Sequence, residues 1–334
     1  MSVVTWHSHN TKYTACSVEC CQHPEHGNLV AVGTYQLNQE TGHREGQTEL
    51  GVVTTTDSES VSYESHSILD TCSGVLDMKW SRHEKPLLAA AKANGKVDIY
   101  DISLDDSGKC HLKLTHEEEI TSGLCLALEW SRDNEKLVVT DSLGHVTVIR
   151  VTRDGCSTQA NINGHGFEAW TACFPCEGST DIFYSGGDDC KLNCYDLRAS
   201  EGAPVRGNSR SHAMGVTSMV SVSDEVTVLT GSYDENLRRW DTRNMRSELD
   251  TWPLGGGLWR LRPRPGEEDR LLVAAMHDGF KVVDIGEEGR ILRENRGHES
   301  LAYGADWVVD TKSHCVVASC SFYDRLFTIW GFPK

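Results

Sequence analysis

The chain has 334 residues, of which 38% are hydrophobic and 24% charged, and its formal net charge is −17 with the histidines counted as neutral. So acidic a surface repels a phosphate backbone, and without a basic run a nucleic-acid partner has no sequence support. Apolar runs such as Leu271 to Met276 are too short to span a bilayer, so no membrane segment is predicted. The 13 cysteines are an odd number, and the N-terminal stretch does not look like a secretory signal, so we expect reduced thiols and a cytoplasmic protein.

From the N-terminus onward, seven copies of one unit are predicted, each an apolar strand followed by a tight turn. The units are Leu29–Gln36, Leu87–Gly95, Leu137–Gly144, Ile182–Asp189, Val228–Asp234, Leu271–Gly279 and Val316–Asp324. The fifth continues into a second strand that closes with Trp240 and Asp241. Repeats of about 40 to 45 residues with four strands and a closing Trp-Asp are typical of propeller blades. The sequence therefore predicts an all-β, seven-bladed WD-repeat β-propeller, with residues 1–334 as one domain and a monomer as the expected state.

Two of the spacings between units are longer than the others, and both hold mainly polar residues. The first, Asn38 to Thr48, is predicted to loop out of blade one. The second, Asp105 to Glu119, is predicted to be a polar excursion around a short outer strand.

The last unit ends at Phe332 and leaves no room for a fourth strand in blade seven. We therefore expect the N-terminus to supply that strand, with Val3, Val4 and Trp6 paired to the strand around Leu326 to Trp330. Closure of the ring in this way removes open sheet edges, which favour aggregation.

Motifs of several common enzyme classes are missing: there is no G-x-S-x-G, no H-E-x-x-H and no G-x-x-x-x-G-K-[ST]. The C-x-x-C from Cys173 to Cys176 and a group of cysteines and histidines between Cys16 and His26 have residue types that bind metals. A zinc site, however, needs four ligands with a repeated spacing. We interpret both groups as structural residues and predict neither a metal nor a cofactor.

Three histidines precede predicted inner strands, and three aspartates lie in the turns between second and third strands. They are His165, His212 and His298, and Asp189, Asp234 and Asp324. In WD-repeat blades a histidine and an aspartate at these positions hydrogen-bond across the blade and satisfy each other as buried polar groups. We therefore interpret these pairs as structural rather than catalytic.

In a propeller, the loops that enter the inner strands and the turns between second and third strands share one rim. Rim residues that the blade itself does not require are Glu168, Trp170, Asp188, Tyr233, Gly256, Trp259, Arg260, His277, Tyr303 and Tyr323. Carboxylates, a histidine and several aromatic side chains around one channel mouth indicate a ligand site. A protein-docking rim is an equally good interpretation, because Trp, Tyr and Arg also anchor interfaces.

Several rim segments resemble the WD-repeat diphthine methyl ester hydrolase family of diphthamide biosynthesis. They are G-H-G-F-E-A-W (164–170), Y-S-G-G-D-D (184–189), S-H-A-M-G-V (211–216), T-G-S-Y-D-E-x-L-x-x-W-D-T-R-N-M (230–245), G-G-G-L-W-R (255–260), A-A-M-H-D-G-F-K (274–281), L-A-Y-G-A-D-W (301–307) and A-S-C-S-F-Y-D (318–324). These segments cover blades three to seven, whereas blades one and two match more loosely, through G-T-Y-Q-L (33–37) and D-M-K-W (77–80).

The resemblance implies that the protein removes the methyl ester from methylated diphthine on elongation factor 2, which permits the final amidation to diphthamide. The substrate side chain then carries a trimethylammonium group and a methyl ester. Because aromatic faces attract quaternary ammonium groups, the predicted substrate-binding residues are Trp170, Tyr233, Trp259 and Tyr323, together with Arg260.

For the catalytic residues, the prediction follows the chemistry of ester hydrolysis. His277 is the predicted general base, with Asp188 or Glu168 to orient it. Tyr303, Arg260 or a glycine N–H in 255–257 is predicted to face the oxyanion. The nucleophile stays open between water and a side chain such as Ser232.

Two alternatives without chemistry also fit the sequence: a substrate adaptor of a cullin-type ubiquitin ligase, and a non-catalytic scaffold. Such adaptors often carry Asp-x-Arg after the blade tryptophan, and this chain has Asp196-Leu-Arg198 and Asp241-Thr-Arg243. The pattern is also common in WD blades that have no such role.

Overall fold

The computed structural model describes residues 3–24, 26, 28–56, 60–199, 202–222, 226–286, 288–308 and 310–334, and within them the chain forms seven antiparallel sheets. Blade one contains β2 (Thr14–Cys20), β3 (Leu29–Leu37), β5 (Gln47–Thr55) and β6 (Val61–Asp70), with the short β4 (Arg44–Glu45) paired to β3 alone. Blade two contains β7 (Val75–Trp80), β8 (Leu88–Lys92), β9 (Lys96–Leu104) and β10 (Cys110–Glu119). Blade three contains β11 (Cys125–Trp130), β12 (Lys136–Asp141), β13 (His145–Thr152) and β14 (Gly155–Asn163).

The remaining blades repeat this order. Blade four contains β15 (Ala169–Cys173), β16 (Ile182–Gly187), β17 (Leu192–Asp196) and β18 (Arg206–Asn208). Blade five contains β19 (Val216–Ser221), β20 (Thr227–Ser232), β21 (Asn236–Asp241) and β22 (Asp250–Pro253). Blade six contains β23 (Leu258–Arg264), β24 (Glu267–Ala275), β25 (Phe280–Asp284) and β26 (Arg290–Asn295), with a 3-10 turn at Met276–Asp278. Blade seven contains β27 (Ala302–Trp307), β28 (His314–Ser321), β29 (Leu326–Pro333) and β1 (Val4–Asn10).

The seven inner strands form a closed circle around the axis. Each contacts the inner strands of both neighbouring blades, and β2 of blade one contacts both β7 and β27. The core lies between the blades in separate apolar clusters. In one of them Trp130 and Val139 of blade three pack on Ala91 and Val97 of blade two, all of them buried. Burial of such side chains stabilises the fold by roughly 1.5–3 kcal/mol each. The predicted seven-bladed propeller is therefore confirmed.

The N-terminal strand lies beside β29. Val4 is the partner of Gly331 and Thr5 of Trp330, and the register shifts between Thr5 and His7. Trp6 therefore occupies a bulge rather than a paired position, and Val3 precedes the strand.

The two long spacings adopt more regular structure than predicted. Within Asn38 to Thr48, β4 folds back onto β3 and Thr48 already belongs to β5. The predicted short outer strand in Asp105 to Glu119 is wrong: β10 has ten residues and pairs with β9 along its whole length. The reason is that β9 offers a free edge of nine residues for β10 to pair with.

Two of the three predicted histidine–aspartate pairs connect across the blade. His165 Nδ1 lies 2.8 Å from Asp189 Oδ1. His298 Nδ1 reaches Asp324 through Ser321, whose hydroxyl lies 2.6 Å from the ring and 2.5 Å from the carboxylate. These buried side chains hold the turns of their blades, as a structural role requires.

The prediction of a direct bond between His212 and Asp234 is wrong. His212 Nε2 bonds instead to the Thr230 hydroxyl at 2.9 Å. Asp234 accepts a hydrogen bond of 2.9 Å from Arg238, because that guanidinium lies on the next strand within reach of the turn. Burial lowers the pKa of His212 to about 4, which keeps the ring neutral inside the blade.

None of the 13 cysteines, all of which lie within the described residues, takes part in a disulfide bond. Within the described part of the chain, no group of three or more histidine, cysteine, aspartate or glutamate side chains has the arrangement of a metal site. None of the described residues forms a helix with the length and apolar character that crossing a bilayer requires.

Candidate functional site

Each inner strand contains a bulge near its start, where one residue has no partner in the register. The bulged residues are Cys16, Leu76, Leu126, Trp170, Thr217, Trp259 and Tyr303. All of them line one cavity of about 320 Å³. A bulge adds a residue and redirects its side chain. Because the same bulge occurs in every blade, one bulged side chain from each blade lines the channel mouth.

The rest of the lining comes from loops, turns and strand ends of the same rim. These residues are Tyr35 of β3, Arg44 of β4, Leu124, Ser142, Glu168, Tyr233 and, beside its bulge, Arg260. The chemical nature of the lining differs from blade to blade. Blades two and three contribute leucines and Ser142, blades four to seven contribute aromatic residues together with Glu168, and blade one contributes Arg44.

Four aromatic side chains of the wall pack against one another. The ring centroids of Trp170 and Trp259 are 5.6 Å apart with an interplanar angle of 62°, and Trp259 stacks on Tyr303 at 4.9 Å. Tyr233 lies 6.4 Å from Trp170 and perpendicular to it. The four rings all line the cavity, and aromatic side chains grouped in this way are suited to binding a quaternary ammonium group.

The phenols and the thiol of the cavity are held in their protonated forms. Burial raises the pKa of Tyr233 to about 12, with a further contribution from the charge of Asp188. Burial also raises the pKa of Tyr303 well above the usual tyrosine range. The same cause raises the pKa of Cys16 to about 12. The cavity therefore offers phenolic O–H donors but no reactive thiolate.

Below the cavity, buried charges fix the position of Arg260. Its guanidinium lies 3.0 Å from Asp77 Oδ1, and Asp77 also binds Lys79 at 3.2 Å. Lys79 continues the network to Glu19 at 2.7 Å. Asp77 is buried, so its two cationic partners neutralise a charge that would otherwise be costly.

Of the nine predicted site residues, six line this cavity. They are Glu168, Trp170, Tyr233, Trp259, Arg260 and Tyr303. Asp188 lies behind the wall, where its carboxylate accepts a hydrogen bond of 3.0 Å from Trp170 Nε1. It therefore holds the indole ring in place.

The other two predicted residues lie on the rim outside the cavity lining. His277 is exposed on the 3-10 turn, and its backbone N–H donates to Gly256 O at 3.0 Å. Tyr323 is 72% exposed and packs edge-on against Phe322 at 5.0 Å. Phe322 in turn contacts Tyr303 at 4.8 Å, so Tyr323 is one ring removed from the wall.

Ser232 is not available as a nucleophile. It is fully buried, donates to Met214 O at 3.1 Å and accepts from the Asp234 N–H at 3.1 Å. Its role is to hold the turn after β20.

Eight of the 14 lining residues are not among the predicted site residues, namely Cys16, Tyr35, Arg44, Leu76, Leu124, Leu126, Ser142 and Thr217. Asp77, which binds Arg260, is not among the predicted site residues either. Cys16 belongs to a group interpreted as structural, and its bulge has no sequence signal. Asp77 lies in D-M-K-W, one of the segments that carried the resemblance. For Arg44 the signal was the long spacing after Leu29–Gln36, since an insertion that interrupts a regular repeat often serves the binding face.

No protein-family model matches the chain. The chain is 33% identical over 342 residues to diphthine methyltransferase of Homo sapiens, a match that covers 89% of this chain and 73% of that protein. It is 31% identical over 334 residues to diphthine methyltransferase of Schizosaccharomyces pombe, covering 96% of each. A shorter match, 32% identical over 133 residues, covers 38% of this chain and 24% of a DDB1- and CUL4-associated factor 11 homolog of Caenorhabditis briggsae.

Among solved structures, the chain is similar to one in the crystal structure of the mitotic checkpoint complex. The TM-score is 0.74 at 16% identity, and the match covers all of this chain and 93% of the other. At that identity the likeness shows the fold alone.

Proposed function

Because this chain belongs to the diphthine methyltransferase family, we propose that it is an enzyme that hydrolyses the methyl ester of methylated diphthine. The observation that carries the proposal is the cavity itself, in which aromatic rings, phenol donors and a carboxylate surround a space of about 320 Å³. That volume accommodates one modified side chain and excludes the domain that bears it. In this proposal the domain belongs to elongation factor 2, which rests on the rim of a monomeric, cytoplasmic enzyme.

The aromatic wall would hold the trimethylammonium group. Trp170, Tyr233, Trp259 and Tyr303 supply ring faces, and each face contributes roughly 0.5–2 kcal/mol to binding of a cation. Asp188 fixes Trp170 through the indole N–H. Glu168 adds a negative charge on the same side of the cavity.

Water is the proposed nucleophile, with Glu168 as its general base. The carboxylate takes a proton from water, and the resulting hydroxide attacks the ester carbonyl carbon. Tyr303 donates a hydrogen bond to the oxyanion that forms on the carbonyl oxygen. When the intermediate collapses, the bond to the methoxy oxygen breaks, the proton passes to that oxygen, and methanol and a carboxylate leave. His277 has no role in this scheme, because it lies outside the cavity lining.

The test is methanol release from elongation factor 2 that carries methylated diphthine, with purified protein and no added methyl donor. Stoichiometric methanol would support the proposal. If the methyl group moved only when a methyl donor or acceptor was added, hydrolysis would be the wrong reaction.

The adaptor alternative has one observation in its favour. Arg198 and Arg243 are both exposed and are held by the aspartate two residues earlier, at 2.6 Å and 2.8 Å. A pull-down separates the two functions. An esterase retains elongation factor 2 only while its diphthine is methylated, whereas an adaptor retains ligase core subunits whatever the methylation state.

A further inference from the structure

The β3–β4 hairpin departs from the blade pattern and reaches the candidate cavity. In the other blades a tight turn joins the second and third strands, but here β4 folds back onto β3, with Leu37 paired to Arg44. The turn between them is held by the Asn38 side chain, which accepts hydrogen bonds from the backbone N–H groups of Glu40 at 3.0 Å and Thr41 at 3.2 Å. The insertion is therefore a structured element rather than an open loop.

Two glycines allow this hairpin to lie directly against the loop that enters blade two. The Gly74 N–H donates to Arg44 O at 2.7 Å. A Cβ on Gly46 would collide with Thr34 O and with the Gly74 backbone, and a Cβ on Gly74 would collide with Tyr35. The backbone of Arg44 is thus fixed at the cavity, with its side chain in the lining.

Among the residues that the structure describes, Arg44 is the cation of this site without an acidic partner. Arg260 is paired with Asp77 and Lys79 with Glu19. The Arg44 guanidinium makes no ion pair or hydrogen bond to any residue that the structure describes, although acidic residues outnumber basic ones by 49 to 32. A partly buried, unpaired charge is costly. Its cost is offset when an anionic ligand group occupies the cavity.

The charge of Arg44 also acts on the cavity wall. Tyr35 and Arg44 are neighbours in this wall, since a Cβ on Gly74 would meet the Cβ atoms of both, at 2.5 Å and 3.3 Å. Burial raises the pKa of Tyr35, and the charge of Arg44 opposes that rise. Tyr35 and Arg44 belong to blade one, whereas Glu168 lies at the entrance to blade four. In a ring of seven blades these positions are on opposite sides of the channel, so Arg44 and Glu168 bring charges of opposite sign to opposite walls of the cavity.

We infer that Arg44 is a specificity residue that binds the carboxylate of a zwitterionic side chain whose trimethylammonium group lies against the aromatic wall. The inference rests on the proposed function, since hydrolysis of the ester produces this carboxylate. Before hydrolysis the same guanidinium faces the ester oxygens. Arginine suits the role because its planar fork binds both carboxylate oxygens at once.

The test compares two small probes that share a trimethylammonium group: glycine betaine, which has a carboxylate, and choline, which does not. Titrations followed by calorimetry or NMR are expected to show that the wild-type protein binds glycine betaine at least about tenfold more tightly. Arg44→Gln should remove this preference, and Arg44→Lys should retain part of it. Arg153→Gln is the matched control, since it makes the same charge change at an exposed turn between third and fourth strands.

Equal affinities for the two probes in the wild-type protein, or a preference that survives Arg44→Gln, would overturn the inference. The partial rescue by Arg44→Lys shows that loss in the glutamine variant is not a folding defect. The methanol assay reports separately on the proposed function. If the probes behave as expected but no methanol is released, Arg44 binds a carboxylate and the hydrolase proposal fails.

Discussion

Glu168 differs from the carboxylates around it in having no hydrogen-bond or ion-pair partner for its side chain within the described residues. Asp188 is bound to Trp170, and Asp189 is bound to His165. A carboxylate held by donors is a poor base, because those hydrogen bonds stabilise its charged form. The Glu168 side chain is therefore available to form a hydrogen bond to a water molecule in the cavity.

Glu168→Gln is expected to lower kcat for methanol release by roughly 10²- to 10⁴-fold, because the amide cannot accept the proton from water. Glu299→Gln, at an exposed position of the same rim, is the control and should leave kcat unchanged. His277→Ala should also leave kcat near that of the wild type. A large loss with His277→Ala and none with Glu168→Gln would restore His277 as the base.

The buried histidines make stability depend on pH. Burial lowers the pKa of both His212 and His298 to about 4, from 6.5 in the unfolded chain. Between these values the unfolded chain binds protons that the folded protein does not. Stability should therefore be full above pH 6.5 and fall as the pH drops toward 4, by about 1.4 kcal/mol per pH unit for each such histidine.

Urea unfolding midpoints measured between pH 7 and pH 5 check this expectation, and NMR titration of the two imidazole rings identifies the groups responsible. Carboxylates with lowered pKa values lose their contribution only at still lower pH, whereas burial raises the pKa of Glu129 and of Asp306, and these two groups oppose the loss. An NMR titration that places both imidazole rings near pH 6.5 in the folded protein would contradict the assignment.

Two departures from a regular blade shape the strands: the bulges build the cavity wall, and the N-terminal strand covers a sheet edge. A regular strand alternates its side chains between the two faces of the sheet. The seven bulges interrupt this alternation at the same level of every inner strand and so build one shared wall. The N-terminal strand β1 covers the edge of β29, which would otherwise expose unpaired backbone groups.

Deletion of residues 1–8 is expected to lower the melting temperature by at least about 5 °C, because it removes most of β1 and leaves the β29 edge uncovered. Differential scanning calorimetry at equal protein concentration measures the change, and light scattering should show increased aggregation. An unchanged melting temperature would show that β1 is dispensable for closure of the ring.

For the whole molecule, the proposed function makes the rim the surface that a protein substrate would meet. Three apolar side chains in its loops and turns are half exposed or more: Leu143 at 50%, Phe167 at 64% and Met214 at 52%. They belong to blades three, four and five, next to the cavity entrance at Glu168 and Tyr233. Exposed apolar groups around a pocket of this size are suited to contact with the surface of a protein whose modified side chain enters the pocket.

Combined Phe167→Ser and Met214→Ser substitutions are expected to raise KM for intact elongation factor 2 by about tenfold and to leave kcat unchanged. KM for a short peptide bearing the same modified side chain should not change, since the peptide does not reach the rim. Leu249→Ser is the control, because Leu249 is exposed at the opposite end of the blades. Equal effects on protein and peptide would place these residues inside the binding site instead.

The number of blades, their order and the rim segments could all be derived from the sequence, because strand alternation and turn residues are local patterns that repeat. Six of the 14 cavity residues could be predicted in the same way, since the rim loops of a propeller converge. The long outer strand β10 was missed because its polar residues face solvent, and pairing with β9 decided its length.

Only the tertiary structure decided which rim residues share the cavity. Trp259 and Tyr303 enter it through bulges, while His277 and Tyr323 stay outside, although all four come from equally persuasive motifs. Distances of a few ångströms between strands also decide that Arg44, from an insertion, lines the cavity. They likewise decide that Asp234 binds Arg238 instead of His212. Such distances arise from packing between blades, and a local sequence pattern does not contain them.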